Sequence, residues 1–256
     1  MSEAFDADLV VLSDIHLLDM VSLRGKRVLA LVEAMTKGQV EALVLVGDIF
    51  EFMLGSNRYF HRKFEVLGAA LSRLAQSGTK VVFLEGNHEF DIHKLDWPGV
   101  TMVQEQDYLL QIKGKKFKFT HGDLVYSPKA YLRFRKLVKA RWFLAICRMI
   151  PGPLMDYLAL RGSKASRAQD QYRKMDVKAI YKAMAAWLGK DADYGLFGHF
   201  HVPFNHKSGE GGELWSMASW DHPSVIKYVD GGFSRHVYRA SELMPSKEDA
   251  NKAISI

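Results

Sequence analysis

"EALVLVGDIFE", residues 41–51, starts as an apolar run and then changes character. Ala42 to Val46 read as a short buried strand, and Gly47-Asp48 as the loop that follows it. A single glycine-aspartate pair after a strand means only a turn. Here the unit recurs. "ADLVVLSDIH" (7–16), "TKVVFLEGNHEF" (79–90), the end of "DYLLQIKGKKFKFTHGD" (107–123) and "DYGLFGHFH" (193–201) each run from an apolar strand into a polar loop. The third of these reads as a hairpin with Gly114 in or near its turn.

Helical patterns separate the first strands. "KRVLALVEAMTKG" sets Val28, Leu31, Val32 and Met35 at helical spacing, with Gly38 at its C-terminal end. "FHRKFEVLGAALSRLAQSG" puts Phe60, Phe64, Leu67, Leu71 and Leu74 on one face. Late strands are expected near 214–217, 225–229 and 236–238. Strands that alternate with helices predict an α/β fold.

The 256 residues suffice for one sizeable core, and 48% apolar with 25% charged residues is ordinary for a globular protein. No apolar run is long enough to span a bilayer, and the acidic start "MSEAFDADLV" does not resemble a signal peptide. Cys147 is the single cysteine, so no internal disulfide forms. A cytoplasmic location is expected, with peripheral attachment to the inner membrane allowed.

Charge is uneven. Residues 127–182 hold fourteen Lys/Arg against three Asp/Glu, whereas the rest of the chain holds 21 basic and 26 acidic residues. This stretch also sets Tyr131, Phe134, Val138, Trp142, Ala145 and Met149 at helical spacing before the break at "MIPGPLMD". It reads as a helical cap, 127–188, inserted into a core formed by 1–126 and 189–244, with 245–256 a polar tail that need not be ordered. A basic insert suggests a phosphate-bearing partner or an anionic lipid surface. The plain alternative is a solvated helix face. A nucleic-acid partner is not expected, because no platform of alternating aromatic and basic residues stands out. Oligomeric state is not legible.

In α/β sheets, sites gather where loops leave the carboxyl ends of strands. That rule brings Asp14, His16, Asp48, Asn87, His121, His199 and His201 together. In an extended segment, positions i and i+2 share a face, which lets His199 and His201 reach one point. Carboxylate, amide oxygen and imidazole suit Mn²⁺, Fe or Zn²⁺. Seven donors exceed one tetrahedral ion and suit two ions about 3.5–4 Å apart, as in metal-assisted attack at phosphorus. Gly47, Gly86, Gly122 and Gly198 each adjoin a candidate ligand and permit tight loops.

D-x-H, G-D-x-x-[DE], G-N-H-[DE], H-G-D and G-H-x-H, in this order, resemble the calcineurin-like metallophosphoesterases. The resemblance implies an αββα sandwich of two mixed sheets and a dinuclear centre. By residue, it implies Asp14, His16, Asp48 and His201 on one ion, and Asn87, His121 and His199 with a bridging Asp48 on the other. "GDIFEFMLGSN", "HGDLVYSPKAYLRFR", "RGSKAS", "KMDV" and "ASWDHPSVIKYVD" are similar to the branch that cleaves the pyrophosphate of UDP-2,3-diacylglucosamine in lipid A synthesis, releasing UMP. That branch implies a phosphorylated, lipid-linked nucleotide-sugar substrate, with acyl chains held in the cap.

Two departures stand out. His88 replaces an arginine usual in that branch, and Arg167 and Asp170 fall roughly where Asn and Lys are usual. A general phosphomonoesterase or phosphodiesterase of the same family is the alternative. A scaffold that has lost its metals is disfavoured, because every ligand position is filled.

His88 is the candidate general acid, able to donate to a phosphoryl or leaving-group oxygen. Glu51 is either the carboxylate that orients it or a plain surface acid. Arg133, Arg135, Arg161, Ser163, Lys164 and Arg167 join Asn87 and His88 as candidate phosphate and substrate contacts. Tyr131, Phe134, Trp142 and Ile146 either line an acyl pocket or pack the cap on the body.

Overall fold

The computed structural model describes residues 5–104, 106–168, 176–208, 211–221 and 223–237, with the backbone alone for 163–168 and 237. In chain order the elements run β1 (Ala7–Leu12), α1 (Leu23–Lys37), β2 (Val40–Val46), β3 (Met53–Leu54), α2 (Arg58–Lys63), α3 (Glu65–Gln76), β4 (Lys80–Leu84), β5 (Glu89–Phe90) and β6 (Val100–Val103). They continue with β7 (Tyr108–Ile112), β8 (Lys115–Thr120), α4 (Lys129–Val138), α5 (Arg141–Met149), α6 (Gly152–Ala168) and α7 (Val177–Leu188). The chain closes with β9 (Tyr194–Phe197), β10 (Asn205–Lys207), β11 (Glu213–Ser216), β12 (Ser224–Val229) and β13 (Gly232–Val237).

Two mixed sheets result. One has the order β13-β12-β1-β2-β4-β6, parallel from β1 to β6 with β12 and β13 antiparallel. The other has the order β10-β11-β9-β8-β7, with β8, β9 and β11 parallel. Leu9, Val11, Val44, Val46, Val82 and Leu84 from the first sheet meet Phe117, Phe119, Leu196 and Trp215 from the second. The opposite face of the first sheet packs on α1 and α3 through Val28, Leu31, Leu67 and Leu71. Each such side chain, fully buried, contributes about 1.5–3 kcal/mol. Ile180, Met184 and Leu188 of α7 pack with Phe197 and Leu214, covering the second sheet. The layers are therefore αββα. α7 falls inside the stretch read from the sequence as cap, yet its buried face belongs to this outer layer.

Several local readings shift. The helix expected from Phe60 through Leu74, ending before Gly78, is broken at Phe64, whose φ of −118° and ψ of 17° end α2 and start α3. Its five apolar positions are nonetheless all buried. The cap helix expected through Tyr131 to Met149 divides into α4 and α5. β6 had no sequence signal, because "VTMV" is short and half-exposed where it adds to the sheet edge. The β7–β8 hairpin turns on Lys113 and Gly114, both at positive φ.

Helices α4–α6 are tied to the body by apolar and ionic contacts. Leu144, Cys147 and Met155 join the core on the α1–α3 side. Lys63 and Tyr59 both reach Asp156, at 2.6 and 3.1 Å, and Arg148 reaches Asp91 at 2.8 Å.

Candidate metal centre

The carboxyl ends of β1, β2, β4, β8 and β9 open onto one edge of the sandwich. Backbone hydrogen bonds sew their loops together: Asp14 N–H donates to Gly47 O, His16 N–H to Asp48 O, and Gly198 N–H to His121 O, at 3.0–3.2 Å. The loops are wound tightly. Asp14, His16, Asp48, His199 and His201 all have φ between 52° and 69°. For residues with a Cβ, that left-handed region costs roughly 1–2 kcal/mol each. Strain of this kind persists only where surrounding structure enforces it, and it concentrates at functional sites.

Two glycines admit the close contacts this geometry needs. A Cβ on Gly198 would collide with Ser13 Oγ and the Asp14 carboxylate, and one on Gly86 would collide with Asp48.

All seven candidate ligands converge. His16 Nε2 lies 3.4 Å from His201 Nε2, which lies 3.2 Å from Asp14 Oδ1. Asn87 Oδ1 lies 3.0 Å from both His121 Nε2 and His199 Nδ1. Asp48 Oδ2 is 3.3 Å from His121 Nε2 and 3.9 Å from His88 Nε2. Donor atoms of Asp14, His16 and His201 fall within 4.8 Å of one another, as do those of Asp48, His121 and His199, and those of His16, Asp48 and His88. Asp48 sits in two of these groups, between the other two sets of donors.

The donor chemistry fits divalent cations. His121 Nδ1 faces Val46 O at 3.0 Å, and a carbonyl only accepts, so Nδ1 carries a proton and Nε2 is left to bind. His16 Nδ1 is buried with no hydrogen-bond partner, 3.8 Å from the Glu51 carboxylate. Two imidazole nitrogens facing each other, beside two buried carboxylates, form an arrangement that a cation satisfies.

Electrostatics in the cation-free protein agree. Burial pushes the His16 and His199 imidazoles down to about 4, so both are neutral near pH 7. For His121, burial is outweighed by the Asp48 carboxylate, which raises the imidazole to about 10. Burial raises Asp14 and Asp48, but neighbouring histidines prevail and hold both carboxyls below the usual range.

The second set of candidates is less uniform. His88 N–H donates to Asp48 Oδ1 at 2.9 Å, and His88 Nδ1 faces Glu51 O at 2.7 Å. Glu51 therefore steadies His88 through its backbone carbonyl, while its carboxylate faces His16. Arg135 is buried and its Nε donates to Asp123. Arg133 is exposed, and Arg161 is exposed with a hydrogen bond to Tyr157 at 3.0 Å. Ser163, Lys164 and Arg167 have side chains outside the described residues, as do Asp170 and the 245–256 tail. Tyr131 and Phe134 line an apolar cavity, whereas Trp142 and Ile146 do not line it and are 57% and 53% exposed.

That cavity, about 620 Å³, lies between α4–α6 and the body. Phe52, Leu54, Phe90, Val138, Leu144, Cys147, Met155 and Leu158 line it, and it opens onto Glu51, Asn87 and His88.

Sequence reasoning passed over Glu89. Its carboxylate, fully buried, accepts the N–H groups of Asp48 (2.8 Å), Phe50 (3.1 Å) and Gly86 (2.8 Å). One side chain thus ties the Asp48 loop to the Asn87 loop. Burial, then the nearby Asp48 charge, raises the Glu89 carboxyl to about 7. The signal was its place beside Asn87 and His88 in "GNHE".

The chain belongs to the calcineurin-like phosphoesterases, whose family profile matches residues 8–203, and it is a metal-dependent hydrolase. Within that class it is similar to UDP-2,3-diacylglucosamine hydrolase of Ralstonia nicotianae, 30% identical over 202 residues, 72% of this chain and 73% of that one. It is also similar to UDP-2,3-diacylglucosamine hydrolase of Neisseria gonorrhoeae, 27% identical over 226 residues, 86% of this chain and 93% of the relative. Among solved structures it aligns with a dimetal phosphatase from Danio rerio at a TM-score of 0.44 and 13% identity, covering 92% of this chain and 97% of that one. No helix among the described residues is long and apolar enough to cross a membrane.

Proposed function

We propose that this protein hydrolyses the pyrophosphate of UDP-2,3-diacylglucosamine, giving UMP and the diacylated sugar 1-phosphate. The observation that carries the reading is the apolar cavity opening directly onto Asn87 and His88. Its volume lies within the roughly 300–1,000 Å³ of ordinary ligand pockets. Each methylene buried there contributes about 0.8 kcal/mol, so acyl chains supply binding energy remote from the reacting phosphorus.

Asp14, His16, His201 and Asp48 would hold one cation, and Asp48, Asn87, His121 and His199 the other. Manganese suits this oxygen-and-imidazole set, with iron or zinc as alternatives. When bound, such a pair polarises phosphoryl oxygens and lowers the pKa of water.

The side chains supply the rest. Neutral His88 carries its proton on Nδ1, because that atom faces the Glu51 carbonyl. Nε2 then faces the Asp48 side of the site, where a protonated His88 donates to the leaving or a phosphoryl oxygen. Asn87 Oδ1, 3.0 Å from both His121 Nε2 and His199 Nδ1, would share the second cation with them. Arg133 and Arg161 are exposed cations on the inserted helices, of the sign that attracts a phosphate-bearing ligand.

The inserted helices expose Trp142 and Met149 as well as Arg133 and Arg141, a mixture that favours shallow docking on an anionic leaflet. Turnover of the diacylated UDP-sugar in anionic vesicles, in detergent, and against a small phosphodiester tests both points, with Mn²⁺ and with chelator. Preference for the lipid, greater in vesicles and lost with chelator, is expected. Equal rates on the lipid and the small diester overturn the substrate assignment.

A further inference from the structure

Helix α4 is anchored at two points to loops that carry candidate ligands. From its first turn Tyr131 OH lies 3.5 Å from the Asp123 carboxylate, two residues beyond His121, and from its last turn Arg135 Nε donates to the same group. Just past its end, Lys139 turns inward. Its ammonium donates to Glu85 Oε1 (2.6 Å), to Gly86 O (3.1 Å) and to Glu89 O. An ammonium has three N–H donors, and here three acceptors receive them. The Lys139 side chain is 7% exposed and Glu85 is fully covered. The three acceptors bracket Asn87 and His88 in sequence. Along the same helix, Tyr131, Phe134 and Val138 line the apolar cavity. The Asp123 loop follows a strand of the second sheet and the 85–89 loop follows one of the first, so α4 bridges both.

We propose that Lys139 is a positioning residue: from the cap it fixes the 85–89 loop, setting Asn87 for one of the two cations. Arg135, read from the sequence as a phosphate contact, ties the same helix to the Asp123 loop one turn before Lys139. The inference rests on the two-cation reading above.

Groups that orient metal ligands typically change affinity by about 10- to 100-fold when removed. The full-length protein, stripped with chelator and titrated with Mn²⁺, tests this by following free Mn²⁺ by electron paramagnetic resonance. Wild type takes up two ions. Lys139→Met is expected to bind one as before and the other about tenfold or more weakly. Lys136→Met, exposed on the same helix, is expected to match wild type.

Lys139→Met removes the ion pair of the buried Glu85 carboxylate and can weaken folding for that reason alone. Glu85→Gln combined with Lys139→Met removes both charges, and circular dichroism monitors its fold. Unchanged affinity for both ions in whichever of these variants folds overturns the proposal. Failure of both to fold assigns Lys139 to the fold alone and also overturns it. A wild type that takes up fewer than two ions sinks the two-cation reading instead.

Discussion

The loop cluster and the inserted helices present opposite relations between sequence and role. At the loop cluster, residue type and position speak together: seven donors fixed at strand ends meet within hydrogen-bonding distances. On α4–α6 the same kinds of side chain are divided among different tasks. Arg135 and Lys139 bind the body, Tyr131 and Phe134 face a cavity, and Trp142 and Met149 face solvent. A loop held by two sheets gives a side chain one place to go. A helix surface gives it a choice, and only tertiary contacts decide.

The contrast makes separable expectations. Damage at the loop cluster should depress turnover of every substrate, whereas damage in the cavity should depress only lipid turnover. The largest effect is expected for Asp48→Ala. With the carboxylate shared by two donor groups gone, turnover should fall by several kcal/mol in barrier, about a thousandfold, on lipid and small diester alike. The fold should survive by circular dichroism. Full activity would remove Asp48 from any bridging role.

A smaller and selective loss is expected for Ala159→Phe, which puts a ring into the cavity wall. Lipid kcat/KM should drop about tenfold, by loss of 1–3 kcal/mol of apolar contact, while the small diester is unaffected. Equal loss on both substrates would erase the distinction between the two regions.

The smallest effect is a proton. In the cation-free protein the Asp48 charge raises His121 to about 10, against its burial, so His121 is protonated at pH 7.5. A cation at Nε2 requires the neutral ring, so uptake releases that proton, and affinity falls as pH falls below 10. Calorimetry in buffers of different ionisation enthalpy should register about one proton released from this group. No release would mean that His121 is not a ligand.

Much of the sandwich was legible because its strands are short, apolar and bounded by glycine or aspartate. What escaped depended on partners far away in the chain. Phe64 breaks a helix whose apolar pattern runs straight through it, so periodicity alone gives no warning. β6 is recognisable only beside β4, which supplies its hydrogen bonds. Lys139 counted as one more basic residue in a basic stretch. Its meaning comes from Glu85, 54 positions earlier. Glu51 could be read from its place after Asp48 as an orienting carboxylate or a surface acid, but that its backbone carbonyl faces His88 Nδ1 while its carboxylate faces His16 is visible only in the fold.

The left-handed backbone at Asp14, His16, Asp48, His199 and His201 has a consequence for metal exchange. The winding is held by strand pairing and by backbone hydrogen bonds between the loops. Those bonds do not depend on which ion is bound. Replacing one divalent species by another is therefore expected to leave the loop backbone as it is, with the choice set by supply and ionic radius.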